Sequence, residues 1–301
     1  MNKGTKVSDS SPFKGEQEGI RAIILAAGTA SRLRPLTSNT PKCLLKVGER
    51  TLLQRSMDAL IKAGIREFVI VTGYLHEQIE NFVQQTYGES ICVRFIHNKD
   101  YETTNNIYSL WLARPEAEGQ EVLLLDSDLL YDGEIIERVL ADSHENVLTL
   151  IRHELGEEEM KVVIDPPLPS LEGKDPSKSP LKGKDPSKSP LKGETFSLPL
   201  REGWGGSITE ISKTCDPSLA AGESLGIERM GKAYTTALYK ELEEMMNSEH
   251  LENKFYELAF QRLIPKGHTF SVLDVTDFFS CELDTIEDFE NARQRIPAHL
   301  Y

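Results

Sequence analysis

Short apolar runs alternate along this chain with segments whose apolar positions recur every three or four residues. The first pattern predicts buried strands, and it occurs at 22–27, 66–74, 91–98 and 121–128. The second pattern predicts amphipathic helices, and it occurs at 51–64, at 76–88 and from 106 onward. This alternation predicts an α/β fold with a doubly wound, mostly parallel sheet. Ligands of such sheets bind beyond the carboxyl ends of the strands.

Residues 166–206 interrupt the pattern. The decapeptide GKDPSKSPLK occupies 173–182 and again 183–192, a period too short for a solenoid unit and poor in core-forming residues. Strand patterns flank the segment, so we predict a disordered loop without a catalytic role, inserted into a hairpin turn. A flexible docking segment is the alternative. The polar residues 1–19 are predicted to form a disordered tail, which leaves a single domain built from 20–165 and 207–298.

Composition excludes several functional classes. The 48 acidic and 34 basic residues give a net charge of −14, which argues against a nucleic-acid partner. The four cysteines are widely spaced and form no CxxC pair, so neither a zinc site nor a disulfide framework is expected. No apolar run reaches the length of a membrane span, and the N-terminus has no apolar signal segment, so we expect a cytoplasmic protein without membrane insertion. The sequence leaves open whether it forms a homo-oligomer.

A loop of small and basic residues follows the first strand, and residues 25–44 read LAAGTASRLRPLTSNTPKCL. Gly28 would let the backbone approach a base or phosphate, and the N–H groups after it could bind phosphate oxygens. Arg32 suits a forked contact with the β- and γ-phosphates, and Lys42 suits the α-phosphate, where charge builds during displacement. An ordinary basic surface loop is the alternative. The predicted nucleotide-binding residues of this loop are Leu25, Ala26, Ala27, Gly28, Thr29, Ala30 and Ser31, and the predicted catalytic residues are Arg32 and Lys42.

This loop resembles the nucleotide-binding loop of the sugar-phosphate nucleotidyltransferase superfamily, whose pattern is close to LAAG-x-G-[ST]-R-(L/M)-x-P-x-T-x-x-x-P-K-x-L. One position departs from the pattern, because Ala30 replaces the usual second glycine. We expect that this position needs only a small side chain. The alternative is a positive φ, at which alanine costs about 1 kcal/mol or somewhat more.

Further stretches resemble the phosphocholine and 2-aminoethylphosphonate cytidylyltransferases within that superfamily; they lie at 98–114, 126–132, 222–230, 255–264 and 278–289. The resemblance implies CTP as the donor, a small phosphate or phosphonate as the acceptor, and release of pyrophosphate. It also implies Mg²⁺ held by Asp128 and Asp284, hard oxygen ligands of the kind that this ion prefers. The alternatives are that Asp128 caps a turn and that Asp284 is the N-cap of the last helix. Asp126 is expected to be a structural neighbour.

The resemblance assigns two further groups of residues. Asn105, Asn106 and Ser109 are expected to contact cytosine or ribose, with a helix N-cap as the alternative. The expected acceptor contacts are Lys161, Lys213, Glu223, Tyr256 and Glu257. The lysines could instead be solvated strand-end residues, and the apolar spacing of FYELAF predicts that Phe255 and Phe260 are buried in an ordinary helix.

Three functional hypotheses follow. The first is a cytidylyltransferase that acts on phosphocholine or 2-aminoethylphosphonate. The second is a sugar-1-phosphate or inositol-1-phosphate nucleotidyltransferase. The third is a non-catalytic, nucleotide-binding regulatory homologue, against which the joint presence of Arg32, Lys42, Asp128 and Asp284 argues.

Overall fold

The computed structural model of the chain describes residues 19–165 and 206–300. The strands are β1 (Ile20–Ala26), β2 (Lys46–Val47), β3 (Arg50–Thr51), β4 (Glu67–Thr72), β5 (Cys92–His97), β6 (Glu121–Asp126), β7 (Leu129–Tyr131), β8 (Val147–Ile151), β9 (Lys161–Asp165), β10 (Ser207–Ser212), β11 (Gly222–Met230), β12 (Ser271–Asp274) and β13 (Ser280–Glu282). The helices are α1 (Leu52–Lys62), α2 (His76–Tyr87), α3 (Asn106–Leu112), α4 (Arg114–Ala117), α5 (Glu134–Ala141), α6 (Lys232–Asn247), α7 (Glu257–Leu263) and α8 (Ile286–Arg295).

Within the described residues, nine strands form one sheet in the order β5-β4-β1-β6-β11-β8-β12-β10-β9. Strands β5, β4, β1 and β6 are parallel, with helices crossing between them. Strand β11 lies antiparallel between β6 and β8, and β10 pairs antiparallel with β9 and β12. The predicted α/β fold is confirmed, and the sheet is parallel in its first half and mixed in its second. Of the antiparallel pairs in the second half, β9–β10 joins sequential strands, whereas β11 pairs with β6 and β8 across longer connections.

Helices cover both faces of the sheet, which explains why its central strands are continuous apolar runs. In β1, Ile23 and Leu25 pack on one face, with α3, α6 and α7. Ala22, Ile24 and Ala26 pack on the other face, with α1, α2 and α5. The predicted helix at 51–64 is present as α1. It begins at the Thr51 side chain, which accepts a hydrogen bond from the Gln54 backbone N–H, and it ends before Gly64, whose φ is 95°.

The predicted tail at 1–19 and insertion at 166–206 lie, apart from residues 19 and 206, outside the described residues. The strands that flank the insertion are described, and they form the predicted hairpin, in which Ser207 pairs with Asp165. The two ends of the segment are therefore neighbours in the ladder.

Deletion of residues 167–205, closed by a short turn, is expected to leave the fold and activity intact, because two to five residues suffice to join adjacent antiparallel strands. Thermal unfolding and the rate of pyrophosphate release, each compared with the full chain, measure the outcome. A deletion variant that folds normally but turns over no substrate would overturn the expectation and favour a functional role for the segment.

Across 19–165 and 206–300, no helix combines the length and the apolar character needed to cross a membrane.

Candidate active site

A cavity of ≈ 580 Å³ opens at the carboxyl ends of β1 and β6, where Leu25 pairs with Asp126. Its walls come from the loop after β1, the start of α3, the loop after β6, the middle of β11 and the segment before α8. The volume lies within the usual range for small-molecule sites. The structure brings most of the predicted site residues to this cavity: Leu25, Ala26, Ala27, Gly28, Ala30, Arg32, Lys42, Asn105, Asn106, Ser109, Asp128, Lys213, Glu223, Glu257 and Asp284.

The loop after β1 presents its glycine to open space. A Cβ added at Gly28 would meet no atom within 4 Å, so the packing of the protein does not require glycine there. The open space fits a ligand that approaches the backbone closely. Thr29 and Ser31 are not part of the cavity lining. The structure therefore does not place these two predicted nucleotide-binding residues at the cavity.

Lys42 joins two predicted metal ligands. Its Nζ atom lies 2.8 Å from Oδ2 of Asp128 and 2.6 Å from Oδ1 of Asp284. Arg32 donates to the other oxygen of Asp284, at 2.6 Å. The two basic residues that were predicted from the loop and the two aspartates that were predicted from distant segments therefore form one connected cluster.

The electrostatics of this cluster follow from its burial. Burial lowers the pKa of Lys42, whose side chain is only 12% exposed, but Asp128 and Asp284 outweigh that effect and hold the pKa above its usual value. Burial alone would raise the pKa of Asp284, yet the adjacent Lys42 and Arg32 keep it below its usual value. Lys42 is thus a permanent cation beside a carboxylate that is held in its ionised form.

Two local structures place the aspartates side by side. The short strands β7 and β13 pair with Leu129 opposite Glu282, and the Leu283 backbone N–H donates to the Asp128 carbonyl oxygen at 3.2 Å. Helix α8 begins with a capping box formed by Thr285 and Asp288. Because Thr285 is the N-cap, the alternative role of Asp284 as a plain helix cap is wrong, and its carboxylate is available to the cavity.

Glu282 is a third carboxylate at this point that the sequence analysis missed. One oxygen from each of Asp128, Glu282 and Asp284 lies within 4.8 Å of the others. Burial and the two aspartates raise the pKa of Glu282 to about 8. The sequence does contain one signal for this role. Glu282 stands two residues before Asp284, and side chains two residues apart on an extended segment point to the same side.

The start of α3 supplies neutral polar groups. Asn105 is the N-cap of this helix and accepts from the Asn106 backbone N–H, while the Asn106 side chain accepts from the Tyr256 backbone N–H at 3.0 Å. Ser109 accepts a hydrogen bond from the buried Asn98 at 3.1 Å. The predicted cap and the cavity position therefore coexist at Asn105. Asn98 also lines the cavity, and the sequence analysis missed it.

Ala30 corrects one expectation. It adopts φ 47° and ψ 49°, the left-handed conformation, at the start of a helical turn that covers Ser31–Leu33. The position therefore requires a positive φ, and the expectation that only side-chain size matters is wrong. The left-handed conformation is held by the Ala30 carbonyl oxygen, which accepts from the Leu33 backbone N–H at 3.1 Å and from the Thr37 hydroxyl at 2.8 Å.

Replacing Ala30 by glycine is expected to raise the free energy of unfolding by about 0.5 to 1 kcal/mol, because relief of the left-handed strain exceeds the extra entropy of unfolded glycine. Urea unfolding measures the change. Ala63→Gly is the matched control: Ala63 has φ −76°, so glycine relieves no strain there and should destabilise the chain. Equal losses of stability in both variants would contradict the expectation.

Acidic side chains dominate the opposite half of the cavity. Glu158, Glu159, Glu223 and Glu257 line it, and Lys213 supplies an ammonium group whose Nζ lies 3.5 Å from Oε2 of Glu158. The same Nζ stands 4.5 Å above the ring centre of Phe255. Phe260 is buried as predicted, but Phe255 precedes α7, is 40% exposed and lines the cavity, so its predicted burial is wrong.

Two predicted acceptor contacts lie behind the cavity wall. Lys161 is buried, and its Nζ donates to the backbone carbonyl oxygens of Glu157, Glu159 and Lys213. Its ammonium group therefore links two wall segments, and Lys161 does not line the cavity. Tyr256 is also buried, and its hydroxyl lies 3.1 Å from Oδ2 of Asp126. Neither side chain is part of the cavity lining.

Asp126 lies at the base of the cavity, as a neighbour of Asp128. Burial and the adjacent acids raise its pKa well above the usual value. Strand β11 passes directly beside it at Gly226, whose φ is 81° and where a Cβ would lie 2.8 Å from Oδ2 of Asp126. Glycine at this position is what allows β11 to form this wall of the cavity.

Comparison with known proteins finds a family resemblance in the part of the chain that carries the loop after β1. Residues 21–159 match the model of the nucleotidyl transferase family. The resemblance that was predicted from the loop after β1 is therefore confirmed. The matched region contains the loop, Lys42, the start of α3 and Asp128, while Glu257, Glu282 and Asp284 lie outside it.

Three curated relatives are cytidylyltransferases. Choline-phosphate cytidylyltransferase from Streptococcus pneumoniae is 40% identical over 110 residues, which cover 36% of this chain and 46% of that protein. 2-Aminoethylphosphonate cytidylyltransferase from Lancefieldella rimae is 34% identical over 119 residues, which cover 40% and 47%. The chain thus spans about half the length of these two relatives. CTP:phosphoglutamine cytidylyltransferase from Campylobacter jejuni is 24% identical over 282 residues, which cover 90% of this chain and 98% of that protein.

The fold is shared over a longer span. The solved structure of CTP:phosphocholine cytidylyltransferase from Streptococcus pneumoniae aligns with a TM-score of 0.64 at 19% identity, covering 93% of this chain and 100% of that one. At this identity the alignment shows the fold, and it agrees with the α/β architecture that was predicted from the sequence.

Proposed function

We propose, from the premise that residues 21–159 form a nucleotidyl transferase domain, that the protein transfers CMP from CTP to a small phosphate or phosphonate acceptor and releases pyrophosphate. The observation that carries the proposal is the position of Lys42. Its ammonium group lies between Asp128 and Asp284, beside the loop after β1, in which Gly28 faces open space. A fixed cation beside carboxylates, at the carboxyl ends of parallel strands, suits a triphosphate substrate.

The reaction needs positioning and charge neutralisation more than covalent catalysis. An oxygen of the acceptor's phosphate or phosphonate attacks the α-phosphorus of CTP in line, and the bond from that phosphorus to the pyrophosphate oxygen breaks. Lys42 stabilises the charge that builds on the α-phosphate, and the more exposed Arg32 binds the departing β- and γ-phosphates. Gly28 lets the nucleotide lie against the backbone of the loop.

The donor set fits a divalent cation. Asp128, Glu282 and Asp284 offer three carboxylate oxygens close together, and Oδ1 of Asp128 is buried without a hydrogen-bond partner among the described residues. We propose that Asp128 and Asp284 hold Mg²⁺, with Glu282 beside them. When bound, Mg²⁺ neutralises phosphate charge and orients the triphosphate. With the ion on the carboxylates, Lys42 and Arg32 would be available to contact the phosphates.

Several observations support CTP and an aminated acceptor. The curated relatives reported above are cytidylyltransferases, and Asn105, Asn106 and Ser109 line the nucleotide half of the cavity beside the loop. In the other half, Glu158, Glu223 and Glu257 line the cavity together with Lys213, whose Nζ lies 3.5 Å from Oε2 of Glu158. We propose that Lys213 contacts the acceptor's phosphate or phosphonate and that the acidic side chains attract its amine. Phosphocholine and 2-aminoethylphosphonate are the model acceptors.

A panel of nucleotides tests the proposal. Pyrophosphate release is measured with Mg²⁺ and CTP, UTP, dTTP or GTP, each with 2-aminoethylphosphonate, phosphocholine or inositol-1-phosphate. Release with CTP and an aminated acceptor, at least about tenfold above the other nucleotides, is the expected result. Release only with inositol-1-phosphate would favour the second hypothesis. CTP binding without release in any combination would favour the non-catalytic homologue.

A further inference from the structure

Glu257 is a buried carboxyl group of the acidic half of the cavity, and one of its oxygens has no hydrogen-bond partner among the described residues. The residue is 7% exposed and lines the acidic half of the cavity. Its Oε2 atom is buried and has no hydrogen-bond partner within the part of the chain that the structure describes. Buried carboxylate oxygens are almost always paired, because leaving one unpaired is costly. An unpaired oxygen at a cavity wall therefore indicates a donor that arrives with the ligand.

The neighbouring groups do not supply that donor. The negative charge of Glu257 helps to raise the pKa of the nearby Asp126 and Glu228 carboxyl groups, so these two groups are acidic neighbours. The Tyr256 hydroxyl lies 3.1 Å from Asp126 and 3.5 Å from Glu228. The ammonium group of Lys213 is placed over the Phe255 ring and beside Glu158. Burial raises the pKa of Glu257 to about 7, and the positive charge of Lys213 lowers it. A second cation at Glu257 would favour the ionised carboxylate further.

The aromatic content of the cavity limits which cation can bind. A quaternary ammonium group has no N–H and is bound by several aromatic faces, whereas an ammonium group with N–H needs oxygen acceptors. Among the described lining residues the aromatic side chains are Tyr101 and Phe255. The face of Phe255 is taken by Lys213, and Tyr101 packs beside Tyr74, whose hydroxyl holds the backbone of the glycine loop. The half of the cavity that contains Lys213 is therefore rich in carboxylate oxygens that can accept hydrogen bonds, and its lining offers few free aromatic faces.

We infer that Glu257 accepts a hydrogen bond from an N–H group of the acceptor's amine, and that the enzyme therefore prefers acceptors with a primary, secondary or tertiary ammonium group over a quaternary one. This inference rests on the proposed function, because it concerns the acceptor of that reaction. In that reaction Glu257 determines acceptor specificity, because a quaternary ammonium group would exclude water from the Glu257 oxygen without donating a hydrogen bond to it.

A methylation series isolates the N–H group. Phosphoethanolamine and its N-methyl, N,N-dimethyl and N,N,N-trimethyl derivatives, the last being phosphocholine, carry the same charges and differ in having three, two, one or no N–H. The full chain is assayed with Mg²⁺ and CTP, and kcat/KM is taken from pyrophosphate release. We expect kcat/KM to fall roughly tenfold to hundredfold at the final methylation, and by less at each earlier step.

Glu257→Gln and Glu244→Gln complete the design. In E257Q, the drop in kcat/KM between the dimethyl and the trimethyl acceptor is expected to shrink to less than about threefold. The reason is that the variant lowers kcat/KM for the acceptors that carry N–H. E244Q changes an exposed glutamate of α6, away from the cavity, and should keep the wild-type step. The comparison of the four acceptors on the wild-type protein tests the inference even if E257Q does not fold.

Three outcomes would overturn the inference. Phosphocholine could match the dimethyl acceptor in the wild type, or the step could persist in folded E257Q. Either result would contradict the inference about Glu257 without contradicting the proposed function. Release with inositol-1-phosphate and with none of the four amines would instead contradict both the inference and the proposed function.

Discussion

Replacing Lys42 by methionine is expected to lower kcat/KM for pyrophosphate release by roughly 10²- to 10³-fold, the size of effect seen when a fixed donor to a developing oxyanion is removed. Methionine preserves most of the volume and removes the charge. In the free protein, the same change leaves Asp128 and Asp284 without the ammonium group that lies 2.8 Å and 2.6 Å from them. Added Mg²⁺ should therefore raise the melting temperature of K42M more than that of the wild type, because the ion replaces the lost cation.

Lys46→Met is the control, since Lys46 is an exposed residue of β2 outside the cavity. It should leave both turnover and the response to Mg²⁺ unchanged. If K42M kept turnover within about threefold of the wild type, Lys42 would not act on the α-phosphate, and its position between the aspartates would have a purely structural meaning.

Replacing Asp128 by asparagine is expected to reduce turnover at saturating CTP by at least about 10³-fold, because a neutral amide is a poor ligand for Mg²⁺ and the ion contributes several kcal/mol to the transition state. Asp284→Asn should behave similarly, since both carboxylates contact Lys42 and belong to the three-carboxylate cluster. Whatever activity remains should require a higher Mg²⁺ concentration for half-maximal rate. Titration of Mg²⁺ at fixed CTP measures this shift separately from the loss of rate.

Asp58→Asn provides the matched control for D128N. Asp58 is also an aspartate beside a basic side chain, 3.6 Å from Arg50, but it lies on α1 and does not line the cavity. D58N should keep its activity and its Mg²⁺ dependence. Wild-type turnover in D128N, with an unchanged Mg²⁺ requirement, would show that the acidic cluster does not hold the catalytic ion.

Much of the active-site architecture could be predicted from the sequence because its central part is local. The apolar run that forms β1 and the glycine, Arg32 and Lys42 that follow it lie on one continuous stretch, so their relative placement follows from a single strand and loop. Asp128 could be placed because the end of a strand in a parallel sheet has a known location relative to that loop. The parallel half of the sheet follows the same logic of alternating strands and helices.

The remainder depends on pairings between distant segments. Glu282 joins the cluster because β13 pairs with β7, and strands of three residues carry little sequence signal. Lys161 lies behind the cavity wall because its ammonium group donates to three backbone carbonyl oxygens from two separate segments. The left-handed Ala30 depends on two hydrogen bonds to its carbonyl oxygen, and residue preference alone argues against that conformation.

The most direct test of the central claim is the identity of the product. The full chain is incubated with Mg²⁺, CTP and 2-aminoethylphosphonate or phosphoethanolamine, and the mixture is followed by ³¹P NMR and mass spectrometry. We predict a product in which a new P–O–P linkage joins CMP to the acceptor, formed in equal amount to pyrophosphate and at least about 10²-fold more slowly with K42M. Unchanged CTP, or CMP and pyrophosphate without a linked product, across these acceptors and phosphocholine would contradict the assignment as a cytidylyltransferase.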